Sequence, residues 1–137
     1  MPSRHESRIL AVQALYAWEA NRENQESAMA MAWYEGKDSP DYARLLVAGT
    51  MEQVDALDER IARHLKGWDI TRISRVDLAI LRLGTWSLLH QPDTYANVIL
   101  DESLMLAHEM SGPSSHRFIN GVLDAILRES RATGGEQ

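Results

Sequence analysis

Two short stretches carry the residue types from which a phosphate-binding surface can be built. One is Ser114-Ser115-His116-Arg117, followed by Phe118, Ile119 and Asn120. The other opens the chain, with Arg4 and Arg8 four residues apart and Gln13 and Tyr16 further along. A helix start offers unpaired backbone N–H groups and the positive end of the helix dipole, so hydroxyls, an imidazole and a guanidinium there suit a phosphate. An Arg fork can grip phosphate, Gln can read a base edge, and Tyr can stack on an unpaired base. The ordinary alternatives are simple capping at Ser114 and Ser115, two solvated arginines, and a Tyr16 buried in the core. Local sequence leaves both readings open.

No catalytic set competes with them. The chain has no Cys, which removes thiol chemistry and Cys-ligated zinc. There is no GxGxxG, Walker or GxSxG motif, and no cofactor is expected. His108-Glu109 begins like a zinc-protease motif, but Gly112 stands where the second His is needed. Asp101 and Glu102 are adjacent and diverge on a helix. His5, His64 and His90 read as isolated surface or satisfied polar groups, so no metal site is expected. No apolar stretch is long enough to span a membrane, and no basic start leads into an apolar leader. The expectation is a cytoplasmic chain.

The net charge of −6 disfavours strong nonspecific binding to nucleic acid, but the charge is unevenly spread. Residues 19–59 hold ten acids and three bases, whereas residues 60–82 hold six bases (Arg60, Arg63, Lys66, Arg72, Arg75, Arg82) and two acids. A scattered, solvated surface is the plain reading of that basic run.

The elements that must position these residues are helices. In the last segment Phe118, Val122 and Ile126 lie four apart, as do Ile119, Leu123 and Leu127. That broad stripe makes Ser114 to about Arg131 a helix, although Asn120-Gly121 would favour a hairpin turn between strands. Gly121 disfavours a helix interior, so it is expected to sit where a neighbouring backbone approaches closely. Ile9, Val12, Leu15 and Tyr16 mark a first helix ending at Ala20. Ser27 can cap a short one over AMAMAWY. Ser39-Pro40 opens a single long helix to Leu65, stopped at Gly67. Ser74-Arg75-Val76-Asp77 looks like a capping box, and Val76, Ile80, Leu83 and Ser87 form the stripe behind it, up to Gln91-Pro92. Val98 to Met110 is a further helix. No strand remains, and the expectation is a single all-α domain over residues 1–137, of six or seven helices, with a frayed tail at 132–137.

The blocks ILAVQALYAWE, LLVAG, VDLAILRLG and SSHRFINGVLDAIL occur in an order and at spacings that resemble those of the NusB family of transcription antitermination factors. The resemblance implies two packed three-helix bundles. It also implies binding of boxA RNA from ribosomal RNA operons together with NusE, a small-subunit ribosomal protein, and joining of the elongating RNA polymerase complex. Position by position, it implies an RNA face of Arg4, Arg8, Gln13, Tyr16, Ser114, His116, Arg117, Phe118 and Asn120. It implies a NusE face along VDLAILRLG, with Asp77 and Arg82. A homodimer that covers the RNA face would regulate binding. Two departures stand out. His5 and Glu6 thin the arginine cluster common at the start of such sequences, which weakens phosphate contact. Ser114 stands where relatives frequently carry an acid. The alternative in a different class is a helical adaptor of the same fold that binds protein and has lost RNA recognition.

Overall fold

Helix α1 (Arg4–Ala20) is fixed at its start by a reciprocal cap. Ser3 Oγ accepts the Glu6 N–H at 3.0 Å, and Glu6 Oε1 accepts the Ser3 N–H at 2.8 Å. Leu10, Ala11, Val12, Ala14, Leu15 and Trp18 give it a buried stripe. The computed structural model describes residues 3–23, 41–67 and 69–134, and all regular structure among them is helical. The short helix expected after Ser27 and the Ser39-Pro40 helix start lie outside the described residues.

The long helix expected up to Leu65 is two helices, α2 (Asp41–Glu52) and α3 (Val54–Ala62). The break is at Gln53, whose backbone has φ −106° and ψ 13°. Its N–H is shared between the Gly49 and Thr50 carbonyls, each at 3.3 Å, so the regular ladder is lost for one residue. The bend sends α3 onto helices that α2 does not reach. The chain turns at Gly67, where φ is 76°, and a 3₁₀ turn (Ile70–Arg72) leads into α4 (Arg75–His90).

Helix α4 is the axis of the molecule. Every residue from Asp77 to Ser87 is buried, eleven in succession. The expected single stripe of Val76, Ile80, Leu83 and Ser87 is therefore an underestimate, since a helix enclosed on all sides needs apolar or paired residues all round. Helix α4 packs against each of the other described α-helices: α1, α2, α3, α5 (Ala96–Met110) and α6 (Pro113–Gly134). Helices α1 and α2 pack on each other and on α4, and so do α5 and α6. The two groups thus share α4.

Close approach falls at two glycines other than the one expected. A Cβ on Gly49 would clash with the Trp86 ring, and one on Gly84 would meet Ser103 Oγ at 3.0 Å and Leu123 Cδ1 at 3.1 Å. At Gly121 a Cβ would meet nothing within 4 Å. The expectation of a helix contact at Gly121 is overturned because this residue lies on the solvent side of α6. The inward side of that helix is held by Ile119, Val122, Leu123 and Ile126. Helix α6 begins with Pro113 at its first position, where a missing N–H costs nothing.

Candidate nucleic-acid interface

On α1 the four candidate residues divide. At about 100° per residue, Gln13 lies roughly 180° around the helix from Arg4, and Tyr16 about 80° from Arg8. Arg4 and Arg8 stand on the inward stripe where it runs out at the end of the helix. The Arg4 guanidinium lies 3.7 Å over the Tyr42 ring of α2, and that of Arg8 is 5.9 Å from the same ring. Arg8 is only 8% exposed and lies 3.5 Å from Glu102 of α5. Gln13 and Tyr16 are exposed, the Tyr16 ring by 43%, and they share the outer side with Glu6. Tyr16 is thus available for stacking, whereas Arg8 is held inside by packing and charge.

His5 ties α1 to α5. Nδ1 lies 3.0 Å from Glu102 and Nε2 lies 2.9 Å from Glu109. The hydrogen bond to Glu102 raises the imidazole pKa above its usual value; burial works against this, and Glu109 adds to the rise. Glu102 and Glu109 therefore offset the charge of Arg8 and His5, and this end of α1 is less basic than its sequence.

Helix α6 carries the second group. Ser114, His116, Arg117 and Asn120 are exposed, and Phe118 is half-buried against the core. Helices α1 and α6 make no contact among the described residues; α5 touches both. The α1 and α6 groups of candidate RNA residues are joined through α5. His116 faces a groove with Asp101, Met105, His108 and Glu109 of α5. Arg117 and Phe118 face a different groove, formed with the end of α3.

The two residues expected on a partner face are internal. Asp77 is 8% exposed and accepts from Ser111 Oγ at 2.7 Å and from Ser115 Oγ at 2.8 Å. The two hydroxyls are 2.8 Å apart. Ser74 Oγ accepts the Asp77 N–H at 3.2 Å, so one half of the capping box forms. The other half does not, because the carboxylate is turned to the α5–α6 junction. Arg82 is 3% exposed. Its Nε and Nη2 donate to Asp58 at 2.8 Å each, and Nη1 donates to Glu19 at 2.6 Å. Burial opposes its charge and is outweighed by Asp58 and Glu19, which hold the guanidinium protonated. Asp77 thus clamps the starts of α4 and α6, and Arg82 joins α1, α3 and α4; as residues expected on a partner face, the two offer little exposed surface.

Sequence reasoning missed Tyr42, Glu102, Ser111, Asp58 and Glu19. Each meets its partner from another helix or helix end, and no local spacing announces the contact. Among the described residues no group of His, Asp and Glu could hold a metal ion, and no helix is long and apolar enough to cross a membrane.

The described residues define an all-helical class of protein, built on one enclosed axial helix with grooves between the outer helices. The chain belongs to the NusB family, whose family model matches residues 5–128. It is 37% identical over 132 residues to the transcription antitermination protein NusB of Treponema pallidum, covering 93% of this chain and 94% of that one. It is similar to a solved NusB of T. maritima, with a TM-score of 0.81 and 30% identity over 93% of this chain and 92% of that chain. It is also similar to a chain in a crystal structure of the antitermination factors NusB and NusE in complex with dsRNA. The TM-score is 0.77 and the identity 25%, over 92% of this chain and 96% of that chain.

Proposed function

We propose that this chain is an antitermination factor that binds boxA RNA together with NusE and joins the elongating RNA polymerase complex. The observation that supports this most is the likeness, over nearly the whole chain, to a NusB chain solved with NusE and dsRNA. The exposed Tyr16 ring and the exposed His116, Arg117 and Asn120 supply stacking and phosphate-binding groups for such a role. Asp77 and Arg82, expected on the partner face, are largely buried, which favours a partner surface with more exposed residues. Leu45 and Val98 are exposed large apolar residues on the rim of the roughly 720 Å³ groove that also holds Arg4, Tyr42 and Trp86. That rim is the more suitable surface for a protein partner.

A second reading, an adaptor that binds protein alone, is favoured by the pairing of Arg8 and His5 with Glu102 and Glu109. Titration with fluorescent boxA-type RNA, with and without NusE, separates the two. Tyr16→Ala is expected to weaken RNA binding by roughly 1–3 kcal/mol with an unchanged circular dichroism spectrum. Arg117→Glu is expected to weaken RNA binding while leaving NusE binding without RNA intact. NusE and RNA are expected to tighten each other's binding by the same factor, about 5- to 150-fold. Unchanged RNA affinity in both variants would leave only the protein adaptor.

A further inference from the structure

In the groove between α6 and the segment that follows α3, cations gather on both walls. Arg63 and Lys66 stand on one side and Arg117 and Arg128 on the other, around a space of about 540 Å³. The single acid lining it, Asp124, is 3.0 Å from Arg128. Arg63 reaches Glu129 at 3.1 Å and Glu59 at 3.5 Å, neither of which lines the groove. Lys66 and Arg117 have no acidic partner among the described residues. The two grooves described above lack this bias. His116 shares its groove with Asp101 and Glu109, and Arg4 and Arg8 share theirs with Asp93 and Glu102.

The floor is as informative as the walls. Leu65, Phe118, Val122 and Ala125 line it, and Gly121 leaves it open where any other residue would project a side chain. Cationic rims over an apolar floor suit an unpaired strand, whose phosphates meet the rims and whose bases lie against the floor. A duplex keeps its base faces stacked inside and would leave the floor unused. An acidic peptide would meet the cations, but only its occasional aromatic residues bring a planar ring, whereas every nucleotide does.

We infer that this groove takes a further stretch of single-stranded RNA, adjoining the boxA segment at Arg117 and Phe118 and running toward Lys66. The inference rests on the RNA reading given above. It turns the strand away from the acidic α5 surface and assigns Arg63, Lys66 and Gly121 to RNA contact.

The test compares a short boxA RNA with the same RNA extended by about eight unpaired nucleotides at either end, in the presence of NusE. The unmodified chain is expected to bind one extended RNA more tightly than the short one. Lys66→Glu is expected to remove at least about fivefold of that gain at 0.1 M salt and to flatten the salt slope by about 0.7, the signature of one lost single-strand phosphate contact. Gly121→Leu, which projects a side chain into the groove from an open position, is expected to remove the gain with little change in salt slope. Both variants should bind the short RNA like the unmodified chain. Equal affinity for short and extended RNA in the unmodified chain overturns the inference and leaves the boxA reading intact. A gain that survives both substitutions also overturns it, as does an equal loss on both RNAs. Weakened NusE binding in Lys66→Glu without RNA, with RNA affinities unchanged, assigns the groove to protein instead. Failure of the unmodified chain to bind even the short RNA removes the boxA reading and this inference with it.

Discussion

Arg82 and Asp58 meet edge to edge, with two nitrogens of the guanidinium on the two oxygens of the carboxylate at 2.8 Å each. This is the bidentate geometry that makes arginine irreplaceable by lysine. Asp58 and Glu19 are each about a quarter exposed, while Arg82 is enclosed. Arg82→Ala is expected to cost about 3 kcal/mol in urea unfolding, because two carboxylates lose their buried partner. Arg82→Lys should recover only part of that loss. A stability change below 1 kcal/mol for Arg82→Ala would show that the contact is incidental.

The Asp77 clamp gives a second prediction. Asp77→Ala should destabilise the chain by about 1–3 kcal/mol, since Ser111 and Ser115 lose a charged acceptor. Ser115→Ala should cost about 1 kcal/mol. The double variant should fall short of the sum by at least about 0.5 kcal/mol. Strict additivity in a denaturation cycle would deny the shared network.

The glycines should respond in opposite directions. Gly121→Ala has open space and gains helix propensity, so stability should rise by up to about 1 kcal/mol. Gly49→Ala puts a methyl group into the Trp86 ring and should cost about 1–3 kcal/mol by overpacking. Melting temperatures of the two variants check both signs.

His5 gives the chain a pH-dependent seam between α1 and α5. Its folded pKa is raised above 6.5, so the stabilisation is complete below the unfolded value and fades as pH rises through the folded one. Glu102 and Glu109 face it from α5, with Arg8 beside Glu102. The melting temperature of the unmodified chain relative to His5→Gln should be highest near pH 6 and fall toward equality by about pH 9. A constant difference across that range would mean that the imidazole charge contributes nothing.

What the sequence made legible was local. The cap at Ser3 was not singled out, but the helix behind it was, as were α4, α5 and α6, because apolar spacing and capping residues lie within a few positions of one another. The α6 stripe overrode the Asn120-Gly121 hairpin signal because tertiary burial of Ile119, Val122, Leu123 and Ile126 outweighs the propensity of two residues. The break at Gln53 left no trace, since its apolar pattern continues on both sides. The opposed directions of Arg4 and Gln13 were available from helix arithmetic alone. The roles of Asp77 and Arg82 were not, because their partners lie 34 and 38, and 24 and 63, residues away. A charged residue in a helix reads as a surface group until the distant segment that encloses it is known.

The enclosure of α4 bears on how the molecule comes apart. A helix whose every side is covered cannot lose one neighbour and remain soluble with the rest. Removing α1 and α2 would uncover one flank of it, and removing α5 and α6 another, each exposing apolar side chains and leaving Arg82 without Glu19 or Asp77 without its hydroxyls. Neither half can wait folded for the other. Unfolding should therefore pass through no stable partial form, with amide protection along α4 equal to the global free energy and spectroscopic probes at Trp18 and Trp86 melting together.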